Sequence, residues 1–471
     1  MTSQAPSSTQ RTIAGNLLAR FRAVRAATLA FAAPLTPEDM MVQSCAEASP
    51  VKWHLAHTSW FFETFILREF TAAYRPFHAD FHWLFNSYYN SLGDMPAKNL
   101  RASFSRPPLD DILAYRSHVD QAIAHLLDDD LGAHEFDILS RIALGLEHEQ
   151  QHLELIATDI KHALFTNPLH PAYAPGSSLP ASNDQLTIFH AFPGGLVEIG
   201  ASPDPSDPLA FAFDNETPRH KVFLSPFQLA NRVVTVAEYL AFIDDHGYAR
   251  PELWLSEGWT TMRAEAWQAP LYWTRKGPDW SIFTLRGFQP LDSLLDTPVC
   301  HLSFFEADAF ARWSGCRLPT EFEWEYAAAS LSTVVTGSPT KPALLTYVLP
   351  GPADQAGRTE PAIHASAVPA VRANMLESGD LHPIAAQPLS TLQQIYGDVW
   401  EWTASPYTGY PGYKPVPGAL GEYNGKFMSS QIILRGGSCV TPATHIRATY
   451  RNFFSPSTRW QFSGLRVAKD L

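Results

Sequence analysis

The run Glu147-His148-Glu149-Gln150-Gln151-His152-Leu153-Glu154 carries the strongest chemical signal in this chain of 471 residues. On a helix, His148 and His152 stand one turn apart, so both imidazoles leave the same face and can share a metal ion. Upstream, Trp53-His54-Leu55-Ala56-His57-Thr58-Ser59-Trp60-Phe61-Phe62-Glu63 offers a second pair, with aromatic neighbours able to keep water out. A lone core histidine is usually satisfied by a hydrogen bond, whereas two pairs on separate helices point to a metal. Three neutral imidazoles leave coordination positions open, which suits substrate and O2 at Fe(II) or water at Zn(II). Spacing does not choose the metal.

The same residues spell His148-Glu149-x-x-His152, the string in which a zinc metallohydrolase uses the glutamate as general base. That chemistry needs a further ligand at a set place. Thr158 stands six residues past His152, and the chain beyond is rich in proline rather than glutamate. The hydrolase is retained as an alternative that metal analysis and an O2-consumption assay would separate from iron chemistry.

The histidines need rigid elements to present them. Segments 13–32, 50–70, 109–128 and 134–165 carry apolar residues at three- and four-residue spacing, and Ser49-Pro50 and Pro107-Pro108-Leu109-Asp110 mark helix starts. Four such helices with one long excursion (71–108) predict a bundle, an architecture that builds metal sites from facing side chains. Prolines 168, 171, 175 and 180 then end regular structure, so 167–184 reads as a linker. Beyond it come short β-rich runs such as 195–199 and 220–224, many Trp and Gly, and two short helices near 235–246 and 304–313. The expected domains are a tail at 1–12, a bundle at 13–166, the linker, and an irregular α+β domain at 185–471. Residues 335–370 read as a structureless surface insertion.

Composition limits the partners. Lys and Arg total 34 against 47 Asp and Glu, a net charge of −13, which disfavours nucleic acid and anionic membrane. No run approaches the ~20 apolar residues of a bilayer span. Cys45, Cys300, Cys316 and Cys439 fit neither a disulfide framework nor a CxxC knuckle, so a cytoplasmic setting is expected. The first 37 residues lack Asp and Glu and carry four arginines, a mild likeness to a transit peptide. Leu17, Leu18, Phe21, Val24 and Leu29 instead keep the spacing of an ordinary first helix.

Several motifs together resemble the ergothioneine-biosynthesis sulfoxide synthases, hercynine-dependent nonheme iron enzymes. They are SPVKWHLAHTSWFFE at 49–63, HEQQHLE at 148–154, Cys316-Arg-Leu-Pro-Thr-Glu-Phe-Glu-Trp-Glu, Gly397-Asp-Val-Trp-Glu-Trp-Thr, Leu434-Arg-Gly-Gly-Ser-Cys and Tyr450-Arg-Asn-Phe-Phe. The resemblance runs from about residue 13 to the end. It implies an N-terminal all-α DinB-like four-helix bundle joined to a C-terminal α+β domain like the formylglycine-generating enzymes, of the C-type lectin type. It further implies Fe(II) on His57, His148 and His152, with His54 as a supporting or packing residue. Hercynine, the trimethylated betaine of histidine, would be held by Gln151, Asn452 and Phe453, and Tyr88 or Tyr89 would deliver a proton. The partners so implied are small molecules: hercynine, a sulfur or selenium donor, and O2.

Likeness to the formylglycine-generating enzymes raises their own copper oxidase activity, which needs two cysteines close together. After Gly436-Gly437-Ser438 comes Cys439, but Val440 to Arg447 holds no second cysteine. The domain therefore reads as a substrate-binding lid, with Trp400 and Trp402 in its core. A non-catalytic lectin-like module is the third reading, and it predicts no metal retention.

The sequence departs from the family on the donor side. The branch using γ-glutamylcysteine has an acidic residue after the Asn-aromatic pair and an arginine four residues later, where this chain has Phe454 and Thr458. Neither pairs with an ammonium or a carboxylate. The usual arginine-rich stretch is replaced by Pro96-Ala97-Lys98-Asn99-Leu100-Arg101-Ala102-Ser103. The donors that remain are free cysteine, which Lys98 and Arg101 could bind, and a selenosugar of the selenoneine synthase branch. A neutral sugar is better served by Asn99 and Ser103 than by arginines, which favours the selenium donor.

Overall fold

The four helical segments read from the sequence are present as α1 (Ser8–Ala32), α2 (Val51–Phe62), α3 (Leu109–Asp128) and α4 (Glu135–Thr166) in the computed structural model. It describes residues 8–175, 186–338, 341–348 and 371–471. The first part of the expected tail, the later part of the linker, and residues 339–340 and 349–370 of the expected insertion lie outside those residues. Pro50 precedes α2 and Pro108 precedes α3, where a missing N–H leaves no helical hydrogen bond unmade. α1 and α2 each pack against both α3 and α4.

The faces explain the arrangement. On α3, Ile112, Tyr115, Val119, Ile123 and Leu127 form one buried stripe, as a helix with one solvent side requires. α2 has no solvent side at all, since each of its 12 residues is buried. It is covered by the 71–108 excursion as well as by its sister helices. Trp60 Nε1 donates to the His82 carbonyl (2.7 Å), and Lys52 Nζ donates to those of Phe104 (2.7 Å) and Pro107 (2.9 Å). Gly145 on α4 permits the closest approach, because a Cβ there would lie 2.5 Å from the Phe62 ring.

Beyond Phe62 the helix widens into one π-helical stretch, Glu63–Leu67, a feature the 50–70 periodicity did not reveal. Fully buried Glu63 accepts from Tyr74 Oη (2.7 Å) and Tyr115 Oη (2.9 Å). Arg20 of α1 is paired with Glu147, and Arg25 is buried among bundle side chains. These arginines serve a folded helix.

The chain divides into two compact units. The first holds the bundle through Tyr173 together with two segments from far along the chain, Ser202–Asp214 and Lys414–Gly425. The second is α+β and built of small sheets. Strands β1 (Phe189–Phe192), β2 (Gly195–Ile199), β3 (His220–Leu224) and β4 (Phe227–Ala230) open it. β2 pairs with β3 antiparallel at the positions expected. Helices α5 (Val236–Asp244), α6 (Ser256–Ala264), α7 (Phe304–Trp313) and α8 (Glu321–Ala329) follow, two more than the sequence reading foresaw. Capping boxes start three of them, at Thr235/Glu238, Ser303/Glu306 and Thr320/Glu323. That signal could have revealed α8.

Residues 335–370 are not structureless from their start. Ser332–Ser338 and Lys341–Val348 pair as an antiparallel hairpin, in keeping with their β-branched and aromatic content. Trp400 and Trp402 are 1% and 0% exposed. Beside them Glu401 is fully buried between Arg466 (2.8 Å) and Trp324 Nε1 (3.0 Å). Asn452 and Phe453 lie on the strand Asn452–Phe454, paired antiparallel with Ile432–Arg435, and the Phe453 ring stacks on Tyr407 at 4.1 Å. No described helix is long and apolar enough to cross a membrane.

Candidate metal centre and its cavity

α2 and α4 bring His57, His148 and His152 together. One ligand atom from each lies within 4.8 Å of the others, and all three residues are buried. Among the described residues this is the one group of three or more His, Cys, Asp or Glu side chains arranged to hold an ion. His148 Nε2 and His152 Nε2 are 3.1 Å apart. Two nitrogens each about 2.1 Å from a shared metal and at roughly a right angle would be about 3 Å apart, so the pair fits an ion.

Hydrogen bonds set which nitrogen is free. His57 Nδ1 donates to the Phe85 carbonyl (2.7 Å), which leaves the Nε2 lone pair for a metal. Asp159 Oδ2 accepts from His54 Nε2 (3.1 Å), so a neutral His54 presents Nδ1 as an acceptor. That atom lies 2.8 Å from His152 Nδ1 and accepts a hydrogen bond from its N–H, leaving His152 Nε2 unprotonated and facing His148. Asp159 is itself fixed by the Ser49 N–H (2.7 Å). His54 is thus a link in a chain that orients a ligand.

The surroundings favour the neutral form of all four imidazoles. Burial lowers each of them, with mutual repulsion adding to the effect at His57 and His152; His148 falls to about 4. Indoles enclose the site: His57 stacks between Trp53 (4.6 Å) and Trp60 (5.3 Å), and Phe61 lies 4.6 Å from His148. The Arg101 guanidinium lies 3.5 Å from the Trp53 ring centroid.

Glu149 faces elsewhere. It is fully buried between Arg25 (2.7 Å) and Arg116, and Arg25 also binds Asp120 (2.7 Å). Burial alone would raise its carboxyl, but the two guanidinium groups prevail and hold it at about 2. A carboxylate held by two guanidinium groups and depressed that far is too weak a base to activate a water at His148 and His152. The hydrolase alternative loses its catalytic base for that reason.

A cavity of about 420 Å³ opens beside His148 within the first unit. Gln151 and Tyr89 line it, as do residues of the 203–214 and 416–424 loops. Tyr423 and Phe136 are lining residues that the sequence did not single out; the loops join the bundle only through folding. Tyr89 is buried, and burial holds its phenol well above the ordinary range. Tyr88, at φ 67°, is not among the lining residues, and its ring centroid lies 6.4 Å from that of Tyr423.

Lys98 and Arg101 are likewise absent from the lining. Lys98 Nζ donates to the Glu47 carbonyl, while buried Arg101 donates to Ser49 Oγ (2.9 Å) and Ser87 Oγ (2.8 Å). Asn99 and Ser103 are exposed. Cys439 and Cys300 are buried and outside any disulfide.

Residues 20–156 match the DinB superfamily, and residues 178–471 match the sulfatase-modifying factor enzyme 1-like domain. The chain is similar to hercynine oxygenase of Mycolicibacterium smegmatis, at 32% identity over 90% of this chain and 91% of that protein. It is 27% identical to ergothioneine biosynthesis protein 1 of Schizosaccharomyces pombe over 58% of this chain and 29% of the relative. The formylglycine-generating enzyme of Streptomyces coelicolor is 30% identical, with 55% of this chain and 82% of that protein covered.

Three outcomes follow from this geometry. Glu149→Gln leaves two buried guanidinium groups short of a charge and should cost about 3–5 kcal/mol in urea unfolding; stability like the parent's, with activity alone lost, would contradict the structural role. In protein stripped of metal, the depressed imidazoles take up protons only on unfolding, so stability should fall as pH drops from about 6.5 to 4. Glu149 adds a further loss below about 4.5, and a urea midpoint flat between pH 7 and 5 would refute the neutral cluster. His54→Ala or Asp159→Asn should weaken metal affinity about 10–100-fold with the helical circular dichroism retained.

Proposed function

The chain belongs to the hercynine oxygenase family, and we propose that it uses Fe(II) and O2 to form a C–Se bond at the imidazole C2 of hercynine, with a selenosugar as donor. The observation that carries the reading is the buried histidine triad, with the Nε2 lone pairs of His57 and His152 set free by hydrogen bonds and a cavity alongside. Fe(II), once bound by His57, His148 and His152, supplies open coordination positions and the electron chemistry through which O2 reacts.

The remaining roles fall to side chains. Gln151, which lines the cavity, binds hercynine, and for Asn452 and Phe453 that role rests on family motif alone. The indoles of Trp53 and Trp60 keep water from the imidazoles. A phenol that retains its proton at neutral pH serves as a proton donor, which favours Tyr89 over Tyr88 because Tyr89 lines the cavity. Lys98 and Arg101 are committed to Glu47, Ser49 and Ser87, so they brace their own loop. Four cysteines outside any disulfide accord with work in a reducing cytoplasm, where a selenol or thiol donor survives.

The selenium donor is favoured over γ-glutamylcysteine because Phe454 and Thr458 occupy the positions of that branch's charged contacts. Phe454 packs edge-on against Trp460 at 5.3 Å. Free cysteine is the competing donor. Fe(II)-loaded protein given hercynine and O2 with seleno-glucosamine, cysteine or γ-glutamylcysteine in turn decides among them. Product mass and O2 uptake should appear with the selenosugar, and exclusive turnover of a sulfur donor would overturn this choice. In the same assay Tyr89→Phe should retain metal and shift turnover toward oxidised donor; unchanged product formation would remove the phenol from the mechanism.

A further inference from the structure

Among the described residues no Asp or Glu forms an ion pair with Arg101, although this cation is only 5% exposed. Its guanidinium donates to the Ser49 and Ser87 hydroxyls (2.9 and 2.8 Å) and lies 3.5 Å from the Trp53 ring centroid. Burial brings it down to about 10. Desolvating a charge against hydroxyls alone is costly, and an apolar side chain would fill the place with less penalty. What a guanidinium adds is a rigid fork: two nitrogens reach two separate oxygens while the plane lies on a ring, which an ammonium cannot do.

Each of those hydroxyls belongs to a chain that ends on a histidine. Ser49 is held by its side chain to Arg101, and its N–H donates to Asp159 Oδ2 (2.7 Å), which accepts from His54, the partner of His152. Ser87 lies in the turn 85–89, where the Phe85 carbonyl accepts from His57 Nδ1 (2.7 Å). In that turn Tyr88 adopts φ 67°, a left-handed conformation that a side chain with a Cβ disfavours, so the turn needs holding. Asn86 Nδ2 donates to the Tyr89 carbonyl (3.2 Å) from within it, and Arg101 grips it from outside. The third contact leads the same way, since the Trp53 indole stacks on His57 at 4.6 Å. Arg101 itself makes no hydrogen bond to either imidazole.

We infer that Arg101 is a positioning residue: by bridging Ser49 and Ser87 over the face of Trp53, it sets the His57 and His152 imidazoles relative to each other. On this assignment Arg101 acts on the ligands rather than on the donor. The inference rests on the triad as a metal centre and is independent of which donor is used.

Metal-free full-length protein titrated with Co(II) gives an affinity and a ligand-field spectrum without turnover, and circular dichroism checks the bundle. Arg101→Lys should weaken Co(II) binding about tenfold and shift the ligand-field bands with helical content retained. Ser49→Ala and Ser87→Ala, which keep the cation, should each weaken it about threefold. Gln43 bridges the Lys98 carbonyl and the Ala102 N–H (3.2 Å each), so Gln43→Ala loosens the same loop from outside and should bind Co(II) as the parent does. Parent-like affinity and spectrum in Arg101→Lys would sink the inference, as would an equal effect from Gln43→Ala, because loop order alone would then explain it. Unchanged Co(II) binding with a raised KM for cysteine would make Arg101 a donor contact instead. If Arg101→Lys does not fold, the serine variants decide, and parent-like binding in both refutes the bridge. A parent that takes up no Co(II) removes the metal reading and this inference with it; a parent that binds while the variants do not respond removes the inference alone.

Discussion

A helix with no solvent face imposes the governing constraint on this protein. α2 is buried throughout its 12 residues, so every polar side chain on it must be satisfied by the protein or by a bound group. Thr58 and Ser59 receive Arg116 and Arg25, whose charges are met by Glu149. His54 is answered by Asp159 and His57 by the Phe85 carbonyl. What is left over, on one side only, is a set of imidazole nitrogens facing each other. The candidate metal site is the remainder of this buried polar network, and the low dielectric that makes the network costly also favours neutral imidazoles, the form that ligates.

Much of this was legible from residue order. Helical spacing gave the bundle elements, and the i, i+4 relation of His148 and His152 was sufficient to place two ligands on one face. The same string misleads about Glu149, because a pattern records which residues are adjacent and not which neighbours the fold brings to them. Arg25 and Arg116 lie 124 and 33 residues away in sequence from Glu149. The outer cavity wall was invisible for a similar reason: the 202–214 and 414–425 segments join the bundle's compact unit across long stretches of chain. Lys98 and Arg101 had the right chemistry for binding a charged donor, yet their groups are spent on Glu47, Ser49 and Ser87. Composition shows that a cation is present, but only packing shows whether it is available.

One element carries all three functions of the first unit, which explains its length. α4 spans 32 residues without a break. Its Glu149 side anchors the arginines that hold α1 and α3, and its His148 and His152 side meets α2. Its Asp137–Gln151 face forms the long wall of the cavity. A rigid helix keeps the separation between the metal ligands and the outer wall constant to a fraction of an ångström, which loops could not do. Gly145 sets the distance between α4 and α2 at the ligand level, and Asp159 fixes the tautomer of His152 from two turns further on. Shape, ligand protonation and cavity length are therefore fixed together by one helix. A change to the ion clamp is felt at the histidines, whereas the loop side of the cavity can vary without disturbing the imidazoles.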